Sequence, residues 1–547
     1  MNSYQKQLFS LAFACFLIFI SCKSREIQNA PTIRKVDVCV YGGTASGIMS
    51  AVAASREGNQ VLVVEPSRWL GGMTGGGISH IDWGNEDAVG GTTLEILKND
   101  YNNSQYRKAF ADLVRENGIK VIYQHRIAGV NMRGKTIKSI TLDYAPPDSI
   151  GCPIPQAIRP GAATISAKVY IDCSYEGDLM AKSGVSYTYG RESQEQYGES
   201  LAGVEPNLTV YDIDPYQTPG DSSSGLLPFI KDWKIGALGS ADKLIMGYCL
   251  RYKFDMEGDG IPIPPPQNYD PPQFELFRRG FNNGLDLSRA RYMKKPGIIS
   301  EKKGYFISPS GSGNTNRSLL TTTIWGCNSD YPDGDWETRS KIWKFHQEYF
   351  CNIIHFLRTD PAVPEHLKNL ATKVTFMRGI FDDTQGWPHQ LYVREARRMV
   401  STYILTQKDV EGNTNPQNSI GLASYGVDEW PYAIIAVEGK KVAISGGGYS
   451  ELVINEKDNG IYNIPYQSIT PKADECDNLL VPVCLSASHI AMTSIRMEPV
   501  WMIIGESAGI AAALAVKNQT AVQDVDYPQL RAKLLEIGQK LDIPDQD

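Results

Sequence analysis

Two histidines stand where a side chain could accept a proton from a substrate. His389 ends the segment Gly-Trp-Pro-His at residues 386–389, and His489 lies in a loop before a long apolar segment that begins near residue 500. Imidazole suits this chemistry because its ordinary pKa lies close to neutral pH. We therefore treat His489 and His389 as candidate catalytic bases. The alternative for each is a hydrogen-bonded core histidine.

Three arginines follow His389 closely: Arg394, Arg397 and Arg398. We predict a helix over residues 391–406, in which positions 394 and 398 would share one face. From that face Arg394 could bind a substrate carboxylate or phosphate through two hydrogen bonds. Alternatively, the arginines pair with nearby acids as part of the structure.

Such chemistry requires a bound cofactor, and residues 36–47, VDVCVYGGTASG, are a candidate cofactor-binding segment. It predicts a buried strand, a tight turn through Gly42 and Gly43, and a helix from Ala45, followed by a second strand that ends at Glu65. A βαβ unit of this length ending in an acid is typical of a dinucleotide site. The amides at the start of the helix would face a pyrophosphate, and the acid would face ribose hydroxyls.

Two further positions of this turn are informative. Gly47 would let the helix pack close to the strand, and Thr44 stands where the usual G-x-G-x-x-G pattern has its middle glycine. Threonine narrows the approach to the phosphates, although its hydroxyl could donate to one of them. The alternative is a glycine-rich turn that binds no ligand.

A glycine-dense loop follows the acid, where a nicotinamide dehydrogenase would normally continue into a helix. Backbone without side chains can lie against a flat ring system or against phosphates. The loop resembles the one beneath the isoalloxazine ring in flavoproteins of the glutathione reductase type. This resemblance implies FAD, and the residues expected to contact it here are Pro66, Arg68, Gly71, Gly72, Met73 and Thr74.

Strand patterns beyond this loop fit the same kind of sheet. Residues 118–123 and 136–142 alternate as the two strands of a hairpin would. Residues 167–172 form a further strand, which ends at Asp172, and we expect this acid to lie near the cofactor.

The C-terminal region predicts a last strand at residues 478–484 and a helix at residues 500–516, with Pro499 in its first turn. The positive end of that helix could face the electron-rich edge of a reduced flavin. Arg496, just before the helix, could stabilise the same negative charge. A small-residue packing helix is the plainer interpretation, and both roles are compatible.

The N-terminal residues predict export. Lys6 precedes an apolar run at residues 8–20, which is too short to span a bilayer and suits a signal peptide. Ser21 and Cys22 resemble a bacterial lipoprotein processing site. We expect a lipidated Cys22 to anchor the chain in the cell envelope, in the periplasm or at the outer membrane. An ordinary cleaved signal or a short anchor is the alternative.

The composition is that of a globular protein, with 42% hydrophobic and 21% charged residues among 547. A net charge of −7 makes nucleic acid an unexpected partner. The ten cysteines form no C-x-x-C pair, which argues against a zinc ribbon or an iron–sulfur cluster, and we predict no metal site. One or two disulfides would be compatible with export.

Over residues 36–516 the chain resembles the FAD-dependent oxidoreductase family abundant in saccharolytic bacteria, some members of which are labelled xanthan lyase-like. The motifs that carry this resemblance are GGTASG, WLGGMTGGG, IDCSYEGDLMAKSG, YGRES, GWPHQLYVREARRM, SIGLASYG and SASHIAMTSIRMEP. It implies an α/β fold, in which a two-part Rossmann-like domain of the glutathione reductase type binds FAD non-covalently and carries a large inserted α+β substrate domain. The sequence departs from the family pattern at Thr44 and at Cys484-Leu485.

The expected organisation has six parts: a signal peptide at 1–21, a tether at 22–31, the FAD-binding domain at 32–190 and 433–520, the inserted domain at 191–432, and a C-terminal helix within 521–547. We expect an exported oxidoreductase that moves a hydride from a hydroxyl of a sugar or polysaccharide-derived substrate to flavin N5, with an unknown electron acceptor. Aromatic residues around 325–336 and 387–430 would suit a carbohydrate, unless they form core. The alternatives are a reductase of an unsaturated acid, and a carbohydrate lyase or binding protein with structural FAD.

Overall fold

The computed structural model describes residues 32–544 except 79, 296, 304–305, 308–316 and 415. The predicted signal peptide and tether, with Cys22, lie outside the described residues.

A seven-stranded sheet forms the centre of the fold. Four strands run parallel in the order β3 (Lys120–Tyr123), β2 (Val61–Glu65), β1 (Thr32–Tyr41) and β6 (Arg159–Asp172). A short parallel strand, β18 (Leu479–Leu480), pairs with the end of β6. The antiparallel hairpin β4 (His125–Arg133) and β5 (Thr136–Tyr144) pairs with the beginning of β6. The parallel strands therefore end together near Tyr41, Glu65 and Asp172, where a ligand can meet them.

Both faces of this sheet are covered. Along β1, Val38 and Val40 pack into one hydrophobic cluster and Cys39 and Tyr41 into another, as the two-residue period of a strand requires. The helix α1 (Ala45–Arg56) follows β1 and packs against α12 (Glu498–Asn518). A Cβ added to Gly505 would lie 2.4 Å from the Ser46 carbonyl oxygen, so the two helices meet backbone to backbone.

Within the described residues, α12 is the one helix long and apolar enough to span a membrane, and 94% of its most apolar window is buried inside the protein. The remaining helices are α2 (Gly72–Gly76), α3 (Gly91–Leu97), α4 (Asn103–Glu116), α5 (Asp178–Lys182), α6 (Gln194–Tyr197), α7 (Glu275–Asn282), α8 (Trp336–Thr359), α9 (Glu365–Lys373), α10 (Gln407–Val410), α11 (His489–Ile495) and α13 (Tyr527–Glu536).

Smaller sheets fill the region between β6 and β18. They pair β7 (Tyr187–Thr188) with β13 (Arg398–Met399), β9 (Phe254–Asp255) with β12 (Thr375–Phe376), β10 (Arg289–Lys295) with β11 (Ile298–Lys303), β14 (Ser419–Ala423) with β17 (Tyr462–Pro465), and β15 (Pro431–Val437) with β16 (Lys441–Gly446) and β8 (Thr209–Tyr211). Strand β15 extends across the expected domain boundary at residue 433. It pairs with β16, which in turn pairs with β8.

Most elements of the cofactor-binding segment agree with the sequence-based expectation. The helix α1, the strand β2 and the helix α12 with Pro499 in its first turn are confirmed. The predicted C-terminal helix is also present, but it ends at Glu536 before Gly538, whose φ of +79° suits a helix end.

The predicted helix at 391–406 is wrong. This segment is extended and irregular because distant strands take up its backbone: the Tyr392 amide donates to the Cys249 carbonyl and the Val400 amide to the Ser186 carbonyl. Arg394 and Arg398 therefore do not share a helix face. Tertiary pairing has overridden a helical pattern, as it often does.

Two strand predictions also need correction. Residues 118–123 are not one arm of a hairpin: β3 pairs in parallel with β2, and the hairpin partner of β5 is β4, joined to it through Gly134 at φ +59°. The last strand covers only residues 479–480 of the predicted 478–484 and stops before Pro482, which has no amide to donate. All eight described cysteines are free thiols.

Candidate cofactor and active site

The turn after β1 has the geometry that a dinucleotide site requires. Gly42 has a φ of +95°, and a Cβ there would lie 2.7 Å from the Ser174 amide nitrogen at the end of β6. A Cβ on Gly47 would lie 1.9 Å from the Gly42 carbonyl oxygen. Glycine is therefore obligatory at both positions, one for the left-handed turn and one for close packing of α1.

Thr44 caps the helix α1. Its hydroxyl donates to the Cys173 carbonyl at 2.9 Å and accepts from the Gly47 amide at 3.1 Å. The hydroxyl is thus fully used inside the protein and is not free to donate to a phosphate, as the sequence had allowed. The amides of Ala45 and Ser46, in the first turn, have no acceptor within the helix and remain as donors for an anion.

Glu65 holds the glycine turn in place. One of its carboxylate oxygens accepts from the Gly43 amide at 2.7 Å, and the other accepts from the Ser67 amide at 2.7 Å. Burial raises the pKa of this carboxyl, and the hydrogen bonds oppose that effect. Its position at the end of β2 also leaves it on the wall of a cleft, where it can meet ribose hydroxyls.

The cleft runs along the carboxyl ends of the parallel strands. The expected cofactor residues on its wall are Gly42, Thr44, Glu65 and Pro66, together with His389. Ser174, Tyr175, Glu176 and Gln390 complete the inner part. Arg68 is exposed and donates to the Asp148 carbonyl.

The glycine-dense loop forms the short helix α2 and is tied to the start of α12. Gly71 and Gly72 have φ of +95° and +50°. The Met73 amide donates to the Tyr175 hydroxyl at 2.8 Å, and that hydroxyl donates to the Glu498 carboxylate at 3.0 Å. Thr74 donates to the same carboxylate through its hydroxyl. These contacts bring the loop, the end of β6 and the first turn of α12 together, as the sequence predicted.

Glu498 and Tyr175 are two residues that sequence reasoning missed. Burial raises the pKa of Glu498 to about 7, although three donated hydrogen bonds act in the opposite direction. A glutamate in the first turn of a helix is ordinarily assigned to the helix dipole, so no local signal marked it. Tyr175 stood inside the quoted motif IDCSYEGD without a role.

Asp172 points into the protein. Its carboxylate accepts from the Ser174 hydroxyl at 2.7 Å and from the Met180 amide at 2.8 Å, and burial raises its pKa to about 6. It therefore shapes the loop after β6.

His389 lies on the cleft wall with one ring nitrogen anchored. The ring stacks on Trp69 at 3.9 Å between centroids, and Nε2 lies 2.8 Å from the Asp383 carboxylate. Among the described residues, Nδ1 is buried and has no hydrogen-bond partner. Burial lowers the pKa of His389 to about 4. The pKa of Asp383 is lowered to about 2, because the interaction with His389 outweighs the desolvation of Asp383, which acts in the opposite direction. Because an ionised Asp383 can only accept, Nε2 carries the proton and Nδ1 is an acceptor.

His489 is placed very differently. Its side chain is 1% exposed, Nδ1 lies 2.9 Å from the Glu395 carboxylate, and Nε2 lies 2.6 Å from the Tyr432 hydroxyl. Its backbone amide donates to Glu192 at 2.8 Å. Both ring nitrogens are engaged in a buried polar network, and His489 is absent from the residues that line the cleft.

The three arginines after His389 contact different partners. Arg397 binds Asp178 at 2.9 Å and Asp333 at 2.7 Å, and Arg398 binds Glu192 at 2.5 Å. Both arginines therefore pair with nearby acids as part of the structure, which is the alternative that the sequence had left open. Arg394 is fully buried, with its guanidinium 4.1 Å from the Trp430 ring centroid, and burial lowers its pKa to about 10.

Arg496 lies close to Arg394. It donates to the Asp428 carboxylate at 2.7 Å and to the Tyr392 hydroxyl at 3.4 Å. Its guanidinium is directed toward this group of aromatic and charged side chains, and its expected contact with a flavin stays a prediction.

A dinucleotide-binding turn lies at the carboxyl ends of the parallel strands, and a glycine-dense segment packs on the first turn of α12. This combination defines the fold of an enzyme that binds a nucleotide cofactor. Comparison with known proteins gives the class. The sequence profile of a family described as "FAD dependent oxidoreductase" matches residues 37–534, and the chain belongs to this family. It is an oxidoreductase, and its cofactor is FAD. No functionally curated protein matches the chain.

Several solved structures resemble part of the chain. A flavoprotein/dehydrogenase from Cytophaga hutchinsonii is 16% identical over 29% of this chain and 44% of its own, with a TM-score of 0.22. The thioredoxin reductase of T. acidophilum is 20% identical over 25% and 35%, with a TM-score of 0.17. A p-nitrophenol 4-monooxygenase from Pseudomonas putida is 12% identical over 29% and 46%, with a TM-score of 0.20. Each match spans less than half of the solved protein.

Proposed function

We propose that this FAD-dependent oxidoreductase oxidises a hydroxyl of a small, carbohydrate-derived substrate, with His389 as the acceptor of the hydroxyl proton. When bound, FAD supplies the two-electron acceptor for the hydride. The observation that carries the proposal is the position of His389 on the wall of the cofactor cleft, with a buried Nδ1 that has no hydrogen-bond partner among the described residues.

The residues around His389 are arranged to fix its ring. Asp383 holds the proton on Nε2, which directs the lone pair of Nδ1 away from that carboxylate. Trp69 covers one face of the ring, and a Cβ on Gly76 would lie 2.7 Å from the His389 Cβ, so that wall is closely packed. A base that is held in one orientation and one tautomer needs no reorganisation before it takes a proton.

The residues present fit FAD. The first-turn amides of α1 and the glycine turn supply the pyrophosphate site, and Glu65 supplies the ribose acceptor. Gly71 to Thr74 give a side-chain-poor surface for the ring system. We further propose that residues 32–190 and 433–520 form a two-part domain of the glutathione reductase type around this site, with residues 191–432 as the inserted substrate domain.

The carbohydrate part of the proposal rests on the sequence resemblance to families of saccharolytic bacteria. The aromatic residues that could have supported it are largely core: Trp325, Tyr331 and Trp387 are each no more than 3% exposed. A second candidate, reduction of an unsaturated acid, is favoured by the buried arginines near Trp430. The idea of a lyase or binding protein with structural FAD has no observation in its favour.

The test is anaerobic reduction of the FAD-loaded protein. Purified protein reconstituted with FAD would be mixed with neutral sugars and alditols, sugar acids, and enoates plus a reductant, while flavin absorbance near the visible maximum is followed. Bleaching by hydroxyl-bearing compounds supports the proposal. Reoxidation of the reduced protein by enoates alone, with no bleaching by any hydroxyl compound, would establish the second candidate instead.

We also propose that the protein is exported and anchored through a lipid on Cys22, and that it passes electrons to an acceptor in the cell envelope. Expression in a Gram-negative host and fractionation would test this. The wild type should appear in the membrane fraction and incorporate labelled palmitate, whereas Cys22→Ser should do neither. A Cys15→Ser variant is the matched control, and membrane association of both variants alike would contradict the proposal.

A further inference from the structure

Four arginines gather around the aromatic rings of Trp430 and Tyr392. The Trp430 ring centroid lies 4.1 Å from the guanidinium carbon of Arg394, 4.4 Å from that of Arg317 and 5.5 Å from that of Arg251. The Tyr392 ring lies 4.7 Å from Arg394 and 5.0 Å from Arg251. Arg496 donates to the Tyr392 hydroxyl. We call this set the arginine cluster.

The cluster carries an excess of positive charge. Among the described residues, its carboxyl neighbours are Asp428, shared by Arg317 and Arg496, and Asp82. The pKa of Asp82 is raised, first by its burial and then by Asp428, against the opposing effect of Arg251 and Arg496. Even with both carboxyls ionised, four guanidinium groups leave two positive charges in excess. Such an excess in a largely buried place is costly unless an anion completes it.

Arg251 is the member available to a ligand. Among the residues that the structure describes, it makes no ion pair within 4 Å, and its Nε is buried without a hydrogen-bond partner. The guanidinium of Arg251 lies over the rings of Tyr392 and Trp430. These contacts restrict the position of the guanidinium without using its hydrogen-bond donors. Arg496 likewise keeps a buried Nε with no partner among these residues. Two neighbouring guanidinium groups with unused donors match the oxygens of a carboxylate.

The cluster also lies beside the proposed reaction site. Arg496 is two residues before Glu498, and Tyr392 is three residues after His389. A small cavity beside the glycine-dense loop is lined by Thr74, by Ile81 and Trp83 on either side of Asp82 in the sequence, and by Lys253. The charge of Asp82 is also influenced by Arg251 and Arg496 of the cluster, which places the cluster in the neighbourhood of this cavity.

We propose that the arginine cluster, with Arg251 and Arg496 as the direct contacts, binds the carboxylate of the substrate, which makes that substrate an acid that also bears a hydroxyl. The inference rests on the proposed function and narrows it to hydroxy acids such as sugar acids. The paired N–H donors of two guanidinium groups match the two oxygens of a carboxylate, and a phosphate ester is the competing ligand that the test distinguishes.

Binding is measured separately from turnover, by calorimetry on the FAD-loaded protein. The probes are glucuronate, glucose and glucose 6-phosphate, which share a ring and differ in charge. Glucuronate should bind, glucose should bind at least about tenfold more weakly, and Arg251→Met should raise the glucuronate Kd about tenfold to hundredfold. The effect on glucose should stay within a factor of about two.

Arg251→Lys and Arg289→Met serve as controls. Arg251→Lys keeps the charge without the paired donors, so an intermediate Kd is expected, and it keeps the test usable if the Met variant fails to fold. Arg289 is a largely exposed arginine paired with Glu301 at 2.8 Å, and its replacement should change nothing. Flavin absorbance of each variant reports whether the cofactor site is intact.

The outcomes separate the two proposals. Equal binding of glucose and glucuronate, or tighter binding of glucose 6-phosphate, or an unchanged glucuronate Kd in both Arg251 variants, overturns the carboxylate site while leaving the hydride-transfer proposal to its own test. Tight, Arg251-dependent binding of glucuronate and other hydroxy acids without any bleaching of flavin supports the carboxylate site and overturns the oxidation of hydroxyls.

Discussion

The surroundings of His389 and of His489 show how differently one protein can bury the same side chain. Around His489, each ring nitrogen has a partner and Arg398 lies between Glu192 and Glu395. His389 lies on the wall of the cofactor cleft; its Nε2 is satisfied, and within the described part of the chain its buried Nδ1 has no partner. A buried polar atom left unmatched costs stability, so it persists where a ligand completes it.

The same contrast holds for two buried glutamates. Glu395 has a lowered pKa because His489 and Arg398 compensate its charge against desolvation, whereas Glu498 receives only neutral donors and has a pKa raised to about 7. For this pair, compensated charge distinguishes the glutamate of the interior network from the glutamate beside the glycine-dense loop. The predictions below test that division.

Replacement of His389 should have the largest effect. His389→Ala removes the proposed base, and the rate of flavin bleaching should fall about 10²- to 10⁴-fold while FAD stays bound. Stopped-flow absorbance measures the rate, and His389→Phe keeps a ring against Trp69 as a check on packing. His366→Ala, at an exposed position, is the matched control. A bleaching rate within twofold of wild type would remove His389 as the base.

Disruption of the network around His489 should act on stability instead. Glu395→Ala leaves Arg398 and His489 without their shared buried acceptor, and the free energy of unfolding should drop by about 3–5 kcal/mol. Denaturant titration measures it. Glu337→Ala breaks a solvent-exposed pair with Lys341 and should change the free energy of unfolding far less. Equal losses for the two variants would show that the network is not a compensated unit.

Glu498 should make stability depend on pH. Its pKa is raised in the folded state from 4.5 to about 7, so the stabilisation from its protonated form is complete below pH 4.5 and is lost as pH rises through about 7. Relative to Glu498→Gln, the wild type should lose roughly 3 kcal/mol over that interval. Unfolding without added FAD, at several pH values, measures the difference. A difference that does not change with pH would contradict an uncompensated Glu498.

Asp383 should give the smallest effect, because it acts through His389. Asp383→Asn weakens control of the tautomer and should slow bleaching about tenfold. The wild-type rate should fall as pH drops through about 4, where His389 gains a proton, and the variant should move that fall to lower pH because Asp383 raises the pKa of His389. In the His389→Ala background the Asn substitution should have no further effect. An additive effect would mean that Asp383 acts independently.

How much of this was visible in the sequence depends on how local the interactions are. The unit from β1 to Glu65 was predicted residue by residue because strand, turn and helix are determined within about 30 residues. The segment after His389 was mispredicted because its amides pair with strands far away in the chain. The two histidines looked equivalent for the same reason: only the tertiary structure gives His489 its partners and leaves Nδ1 of His389 without one among the residues described.

Thr44 carries a consequence for recognising such proteins. The third position of the turn does not need glycine for its backbone angles, since Thr44 has a φ of −64°; it needs a side chain short enough to fold back on the turn. A hydroxyl that joins the first turn of α1 to the end of β6 makes the anion site rigid before any nucleotide arrives, so less conformational entropy is lost on binding. A search pattern that insists on glycine at this position would therefore miss this chain. Serine should be tolerated at this position, and a long or acidic side chain should not.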